Sequence, residues 1–242
     1  MTELDDLNRF YAILNKLEAS HHQGLRLSAY SGTRWLPVRG VYFFREPGEE
    51  RPSSPSSPRI VRVGTHAVSA GSKSTLWQRL RAHLGTRSGG GNHRGSIFRL
   101  HIGAALQARD NVANATWGIG TSAPQALRES QAALIEEAQW EKKVSAYVGE
   151  MTVLWVDVPD EPGPGSARAV IERNSIALLS NGLAPLERAS ASWLGHKSPR
   201  DDIRRSGLWN VNHVSETYDP RFLAFLDTVV ERMIERSVIG AP

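Results

Sequence analysis

Six side chains stand in settings where their chemistry would count. Tyr42 ends the run Gly40-Val41-Tyr42, and a phenol on an apolar strand either packs with its hydroxyl bonded nearby or serves a reaction. Arg62 and His66 flank Gly64; an arginine stays protonated and suits anions, whereas a histidine titrates near neutrality and can accept a proton. Arg79 and His83 are four apart, which places a cation and an imidazole on one side of a helix. Glu172 lies among Ala169, Val170, Ile171 and Ile176, where a carboxylate is costly unless compensated. Two compensations are open to it: a helical pair with Arg168, or a metal with bound waters.

These residues must be carried by a small set of elements. Gly40 to Phe44 is β-branched and aromatic and reads as a buried strand, and Ile60 to His66 as a second, shorter one. Pro47 to Pro58, rich in Pro and Ser, reads as a loop inserted in that hairpin. Thr75 to Leu84 has helical spacing with Leu76, Leu80 and Leu84 on one stripe, a cap at Ser74 or Thr75, and Gly85 at its end. Met151 to Val158 is a third strand, followed by a helix that Ser166 caps and that runs through Glu172 to Leu179.

Elsewhere the pattern is helical. Leu4, Leu7, Phe10, Tyr11, Leu14 and Leu17 define an amphipathic first helix, followed by the loop pair His21-His22. Arg87 to Gly95 reads as a mobile basic loop whose three consecutive glycines would let backbone approach a phosphate. Ser96 to Ala108 reads as helix, although Ile97, Phe98, Leu100 and Ile102 also allow a short strand, and 111–124 reads as loop. Gln125 to Val148 reads as one long helix with Leu127, Leu134, Ile135, Ala138, Val144 and Val148 inward. Asp219-Pro220 opens a final helix.

Composition narrows the class. The 242 residues contain no cysteine, so disulfides, thiolate zinc sites and cysteine nucleophiles are excluded. No apolar run reaches the roughly 18 residues of a membrane span, and the acidic first residues lack a signal-peptide pattern; a cytoplasmic protein is expected. The net charge is only +4, yet the stretch from Arg51 to Arg109 has no Asp or Glu. A surface built from it would attract a polyanion, unless the acidic segment from Glu129 to Glu161 supplies counter-charges.

The order of strand with Gly-x-Tyr, strand with Val-Gly, helix with Arg-x-x-x-His, third strand and helix with Glu resembles the GIY-YIG nuclease family. The resemblance covers about 38–85 and 151–182. It implies an α+β fold, a small mixed sheet flanked by helices, in a single domain over 1–242. In that reading 1–37 is an N-terminal helical segment, 38–183 the core with a helical insertion at 86–148, and 184–242 a C-terminal elaboration. It implies a DNA endonuclease with one divalent ion, Mg²⁺ or Mn²⁺. Tyr42 would act on the water, Arg79 on the phosphate, His83 beside them, and Glu172 on the metal. Asn181 would match the family's asparagine, although its spacing from Glu172 is short and a helix cap explains it equally.

One departure matters: where the second motif has a tyrosine, this chain has Arg62. Either the water is activated differently, with Arg62 or His66 in that place, or the chain is an inactive, DNA-binding relative. Lys73, Arg81, Arg87, Arg94, Arg204 and Arg205 are the expected nucleic-acid contacts. The segment from Lys197 to His213, with Trp209 and Asn210, either reads substrate or anchors a loop. Restriction, repair and mobile-element roles remain open.

Overall fold

A computed structural model describes residues 2–21, 23–30, 36–120, 125–183 and 185–239. Three strands form one sheet in the order β2-β1-β3, with β1 (Gly40–Arg51) between β2 (Ser54–Gly64) and β3 (Thr152–Asp157). Both pairings are antiparallel, where the resemblance implies a mixed sheet. Tyr42 stands opposite Gly64 on one side and Trp155 on the other.

The expected loop at Pro47 to Pro58 is instead the far half of a long hairpin. β3 pairs only with Gly40 to Arg45, so beyond Arg45 the ribbon has a partner on one side. Its register shifts at Arg45 and Glu50, and this irregular ladder accommodates Pro47, Pro55 and Pro58.

Helices cover both faces, which is why β1 reads as a continuous apolar run rather than an alternating one. On one face α1 (Glu3–His21) and α8 (Arg221–Ile239) pack together, with Phe10 against Phe43 and Phe222. On the other, α2 (Leu76–Leu84) and α3 (Ile97–Asp110) bring His83 and Phe98 to Phe44. The expected long helix is interrupted: α4 (Gln125–Glu129) stops and Ser130 caps α5 (Gln131–Gly149) by accepting the Ala133 N–H. Leu134, Ile135 and Ala138 face outward, while Val144 and Val148 are buried as expected. His22, the Leu127 side chain and 121–124 lie outside the described residues. α6 (Ala167–Leu179) packs on β2 and β1, and the short α7 (Asp201–Ser206) sits inside the segment expected to be irregular.

Both outer strands are closed by a side-chain amide acting as backbone. Gln23 donates to the Trp155 carbonyl and accepts its N–H at the β3 edge. Asn210 does the same to Val63 at the β2 edge, beside a Trp209 N–H donated to Val61. Unpaired edges are thereby covered. Asn210 and the fully buried Trp209 are therefore scaffold, not the base readers that their residue types suggest.

Carboxylates from outside the acid-free window neutralise part of it. Arg51 pairs with Glu187, Arg59 with Glu49, Arg94 with Glu137 and Arg99 with Glu141. Arg99, wholly buried, also donates to the carbonyls of His83 and Leu84. Removing one partner of such a pair strands the other charge, so Arg99→Met should cost about 3–5 kcal/mol. The half-exposed Arg94 should cost about 1 kcal/mol or less as Ala. Urea midpoints of the two variants check this; similar small losses would mean that the Arg99 pair is not a structural anchor.

Candidate active site

Gly40 lets β1 lie close against β3, and Gly64 creates the room in which Tyr42 sits. A Cβ on Gly40 would collide with the Val156 carbonyl, and one on Gly64 with the Tyr42 ring and hydroxyl. The phenol thus lies across the neighbouring strand and reaches α2, where its Oη is 2.7 Å from His83 Nε2. The other imidazole nitrogen, Nδ1, is 2.8 Å from Ser96 Oγ, the N-cap of α3. Tyr42 and His83 have no exposed surface. Burial, aided by the nearby charges of Arg62, Arg79 and Arg99, pushes His83 well below the usual imidazole range and keeps it neutral.

Arg62, at the position of the missing tyrosine, is pinned rather than free. It donates to the Trp209 carbonyl at 2.6 Å and lies over the Phe98 ring, 4.6 Å from its centre. Its Nε, like that of Arg79, is buried without a hydrogen-bond partner among the described residues. Both guanidiniums act on His83 and on Glu172.

Glu172 takes one backbone N–H, from Thr65 at 3.1 Å to Oε1, at the end of β2. Its other oxygen has no hydrogen bond among the described residues. Burial raises its pKa, against the opposing pull of Arg62, the Thr65 N–H, His213 and Arg79. The helical pair with Arg168 is not made, because Arg168 turns to Asp160 and to the His66 and Ala67 carbonyls. A half-buried carboxylate with one open oxygen suits a hard divalent cation whose remaining ligands are water and phosphate. No cluster of three or more acidic, His or Cys ligands exists among the described residues, so an ion held by Glu172 would take most of its ligands from water and phosphate.

Tyr42, His83, Arg62, Arg79 and Glu172 therefore gather around the end of β2. His66 does not serve as the base. Its Nε2 accepts the Gly40 N–H, so Nδ1 carries the proton and donates to Ser74 O at 2.9 Å, and burial lowers its pKa to about 4. Asn181 spends its amide on the Glu187 N–H and on the Glu187 and Ser206 carbonyls, which makes it a loop clasp. Arg94 is likewise occupied by Glu137 and by the Ile119 and Thr116 carbonyls. Arg204 binds Ser198 O and Asp201, and Arg205 reaches Asp201 at 3.8 Å. Lys73, Arg81 and Arg87 make no ion pair among the described residues.

Two residues near this group escape a reading of the sequence. Ser96 looks like a helix cap, and only the fold brings it to His83. His213 holds a left-handed backbone, φ 64°, with Nδ1 2.7 Å from Glu216, and its charge bears on Glu172. A histidine at positive φ is the one local signal, and residue type does not reveal it.

A small antiparallel sheet flanked by helices agrees with comparison to known families. The chain matches the GIY-YIG domain over residues 1–236 and belongs to that family, a family of nucleases. The match runs on through the 86–148 and 184–236 stretches that a minimal core leaves out. No curated protein and no solved structure matches it.

Proposed function

We propose that this protein is a metal-dependent DNA endonuclease that hydrolyses phosphodiester bonds at the end of β2. The observation that carries the reading is the Glu172 carboxylate, held by one N–H and otherwise open, with the guanidiniums of Arg62 and Arg79 beside it. A divalent ion such as Mg²⁺ or Mn²⁺ held there would neutralise charge on the leaving oxygen. Arg79 meets the phosphate, and Arg62, fixed by Trp209 and Phe98, offers its buried Nε–H to the same charge. Tyr42, held by the hydrogen bond between its hydroxyl and the neutral His83 Nε2, would accept a hydrogen bond from the attacking water and orient it, while Ser96 accepts the Nδ1–H and sets the tautomer. Since Tyr42 has no exposed surface, this role requires substrate binding to open the cover above the hydroxyl.

The same burial favours a second reading, a DNA-binding relative that does not cut. Incubating supercoiled plasmid with the protein in Mg²⁺ or in EDTA separates the two. The expected result is nicking in Mg²⁺ alone, reduced about 100-fold or more in Arg79→Ala, since one charge-stabilising donor is typically worth that much. Undiminished cutting in EDTA would remove the metal from the mechanism; retained binding without cutting in Mg²⁺ would establish the second reading.

A further inference from the structure

One cavity lies away from the Tyr42–Glu172 group, on the other side of α2. It measures about 600 Å³, and its walls include Tyr30, Trp77, Arg81, Arg87 and Lys142. Along α2, Trp77 and Arg81 are one turn apart, while Arg79 and His83, also one turn apart, are displaced by two residues. Two residues amount to about 200° of helix, so the pairs occupy opposite sides. Among the described residues, none lining the cavity is acidic, and Arg81, Arg87 and Lys142 have no ion pair. Most arginines between Arg51 and Arg109 have found a carboxylate or carbonyl; these cations converge on one concavity without one.

The rim is built, not mobile. Thr86 N–H donates to Gly90 O at 2.7 Å, Gly89 N–H to Thr86 O at 2.9 Å, and Ser145 Oγ–H to Gly90 O at 3.3 Å. Gly85 has φ +94°, which only glycine adopts readily, and a Cβ on Gly91 would strike the Arg99 guanidinium. The glycines therefore serve the approach of Arg99 and of the loop's own backbone, not a phosphate. They hold Arg87 at the mouth, across from Lys142 on α5.

We infer that this cavity is a second nucleic-acid site, which takes one unpaired nucleotide with its base on Trp77 and its phosphate among Arg81, Arg87 and Lys142. A volume of about 600 Å³ falls in the range of roughly 300–1,000 Å³ that encloses a small organic ligand. A duplex does not fit it, because its bases are paired and stacked inside two backbones and none is free to lie on Trp77. Aromatic wall plus cationic rim is the arrangement that binds single strands without regard to sequence: every base has a face to stack, and every unit has a phosphate. The ligand chemistry, a base bearing a phosphate, is shared by a free nucleotide and by a unit within a strand. The site does not depend on cleavage, since it uses none of the residues assigned to the reaction.

The test is binding of a fluorescein-labelled single-stranded 12-mer, followed by anisotropy in EDTA across salt concentrations. Arg81→Ala with Lys142→Ala replaces two exposed side chains and should leave the thermal midpoint unchanged. It should weaken binding about tenfold or more and reduce the salt slope by about 0.7, the share of one phosphate contact on a single strand. Trp77→Leu should lose about tenfold on the single strand, and Trp77→Phe should restore most of it. Trp77→Leu should leave duplex affinity unchanged. Competition by adenosine monophosphate assigns the site to a free nucleotide; competition by the unlabelled 12-mer alone assigns it to a unit within a strand. Unchanged affinity and slope in the double variant would overturn the site. Displacement of the 12-mer by inorganic phosphate as effectively as by adenosine monophosphate would overturn the stacked base. Because metal is absent throughout, a chain that binds but never cuts still satisfies this proposal while failing the previous one.

Discussion

Glu172→Gln should reduce Mg²⁺-dependent DNA cleavage by about 10³-fold or more while leaving DNA affinity in EDTA within about twofold. The magnitude follows from removing the carboxylate proposed to anchor the ion that would relieve charge in the transition state. The glutamine oxygen can still accept the Thr65 N–H, so the end of β2 keeps its geometry. Affinity should not suffer, because a negative charge facing phosphate is being withdrawn. Stability should not suffer either: burial holds the carboxyl above its usual range, so the neutral amide replaces a charge that the site strains to keep. Manganese binding, read by electron paramagnetic resonance without DNA, should weaken in parallel. Full cleavage by the variant in Mg²⁺ would sink the assignment of Glu172. Lost cleavage with unchanged manganese binding would move the ion elsewhere.

The second large effect is on stability against acid. His66 and His101 are buried and depressed to about 4, and burial holds His83 well below the usual imidazole range. Burial is the first cause for each, reinforced by Arg168, Arg79 and Arg39 around His66. Arg62 and Arg200 face His101, opposed by Asp202, and Arg62, Arg79 and Arg99 face His83. The folded state keeps these rings neutral, whereas the unfolded chain protonates them near 6.5. Their contribution is therefore complete above about pH 6.5 and is lost as pH falls from there toward 4, at about 1.4 kcal/mol per unit for each ring. His66 and His101 alone would then remove several kcal/mol, a large share of the roughly 5–15 kcal/mol that holds a domain folded. Glu46 and Glu172 act in the opposite sense, since burial raises both and their protonation favours the folded state as pH falls. The expected result is a urea midpoint that drops steeply between pH 6.5 and 5. His101→Leu should shallow that slope by about one proton and be neutral or stabilising at pH 7, because His101 Nε2 has no partner among the described residues. A midpoint flat down to pH 5 would show that these rings take up protons in the folded protein.

Local features are legible in the residues themselves. The run Gly40 to Phe44, a cap at Ser74 or Thr75, the Ser166 cap and the stripe of Leu76 and Leu80 lie within one or two turns of chain, where period and cap chemistry suffice. Motif order along such elements is enough to indicate the GIY-YIG family, which the match over 1–236 bears out. Less legible are the ends and interruptions of elements. The Pro47–Pro58 ribbon reads as loop because a proline count does not reveal that one edge of β1 is unpaired there.

What the sequence by itself determined is thus the class of fold, the family and the identity of Tyr42, Arg79, His83 and Glu172 as residues worth joining. The tertiary structure alone decided what each can do. It bound Arg62 to a carbonyl 147 positions away, spent His66 on Gly40 and Ser74, and turned Arg168 from Glu172 to Asp160. It also neutralised Arg51, Arg59, Arg94 and Arg99 with distant carboxylates while leaving Arg81, Arg87 and Lys142 around an open cavity. The physical reason is that charge and hydrogen bonding act over a few ångströms in space, and burial multiplies their strength. Residue type and spacing along the chain carry neither distance nor burial.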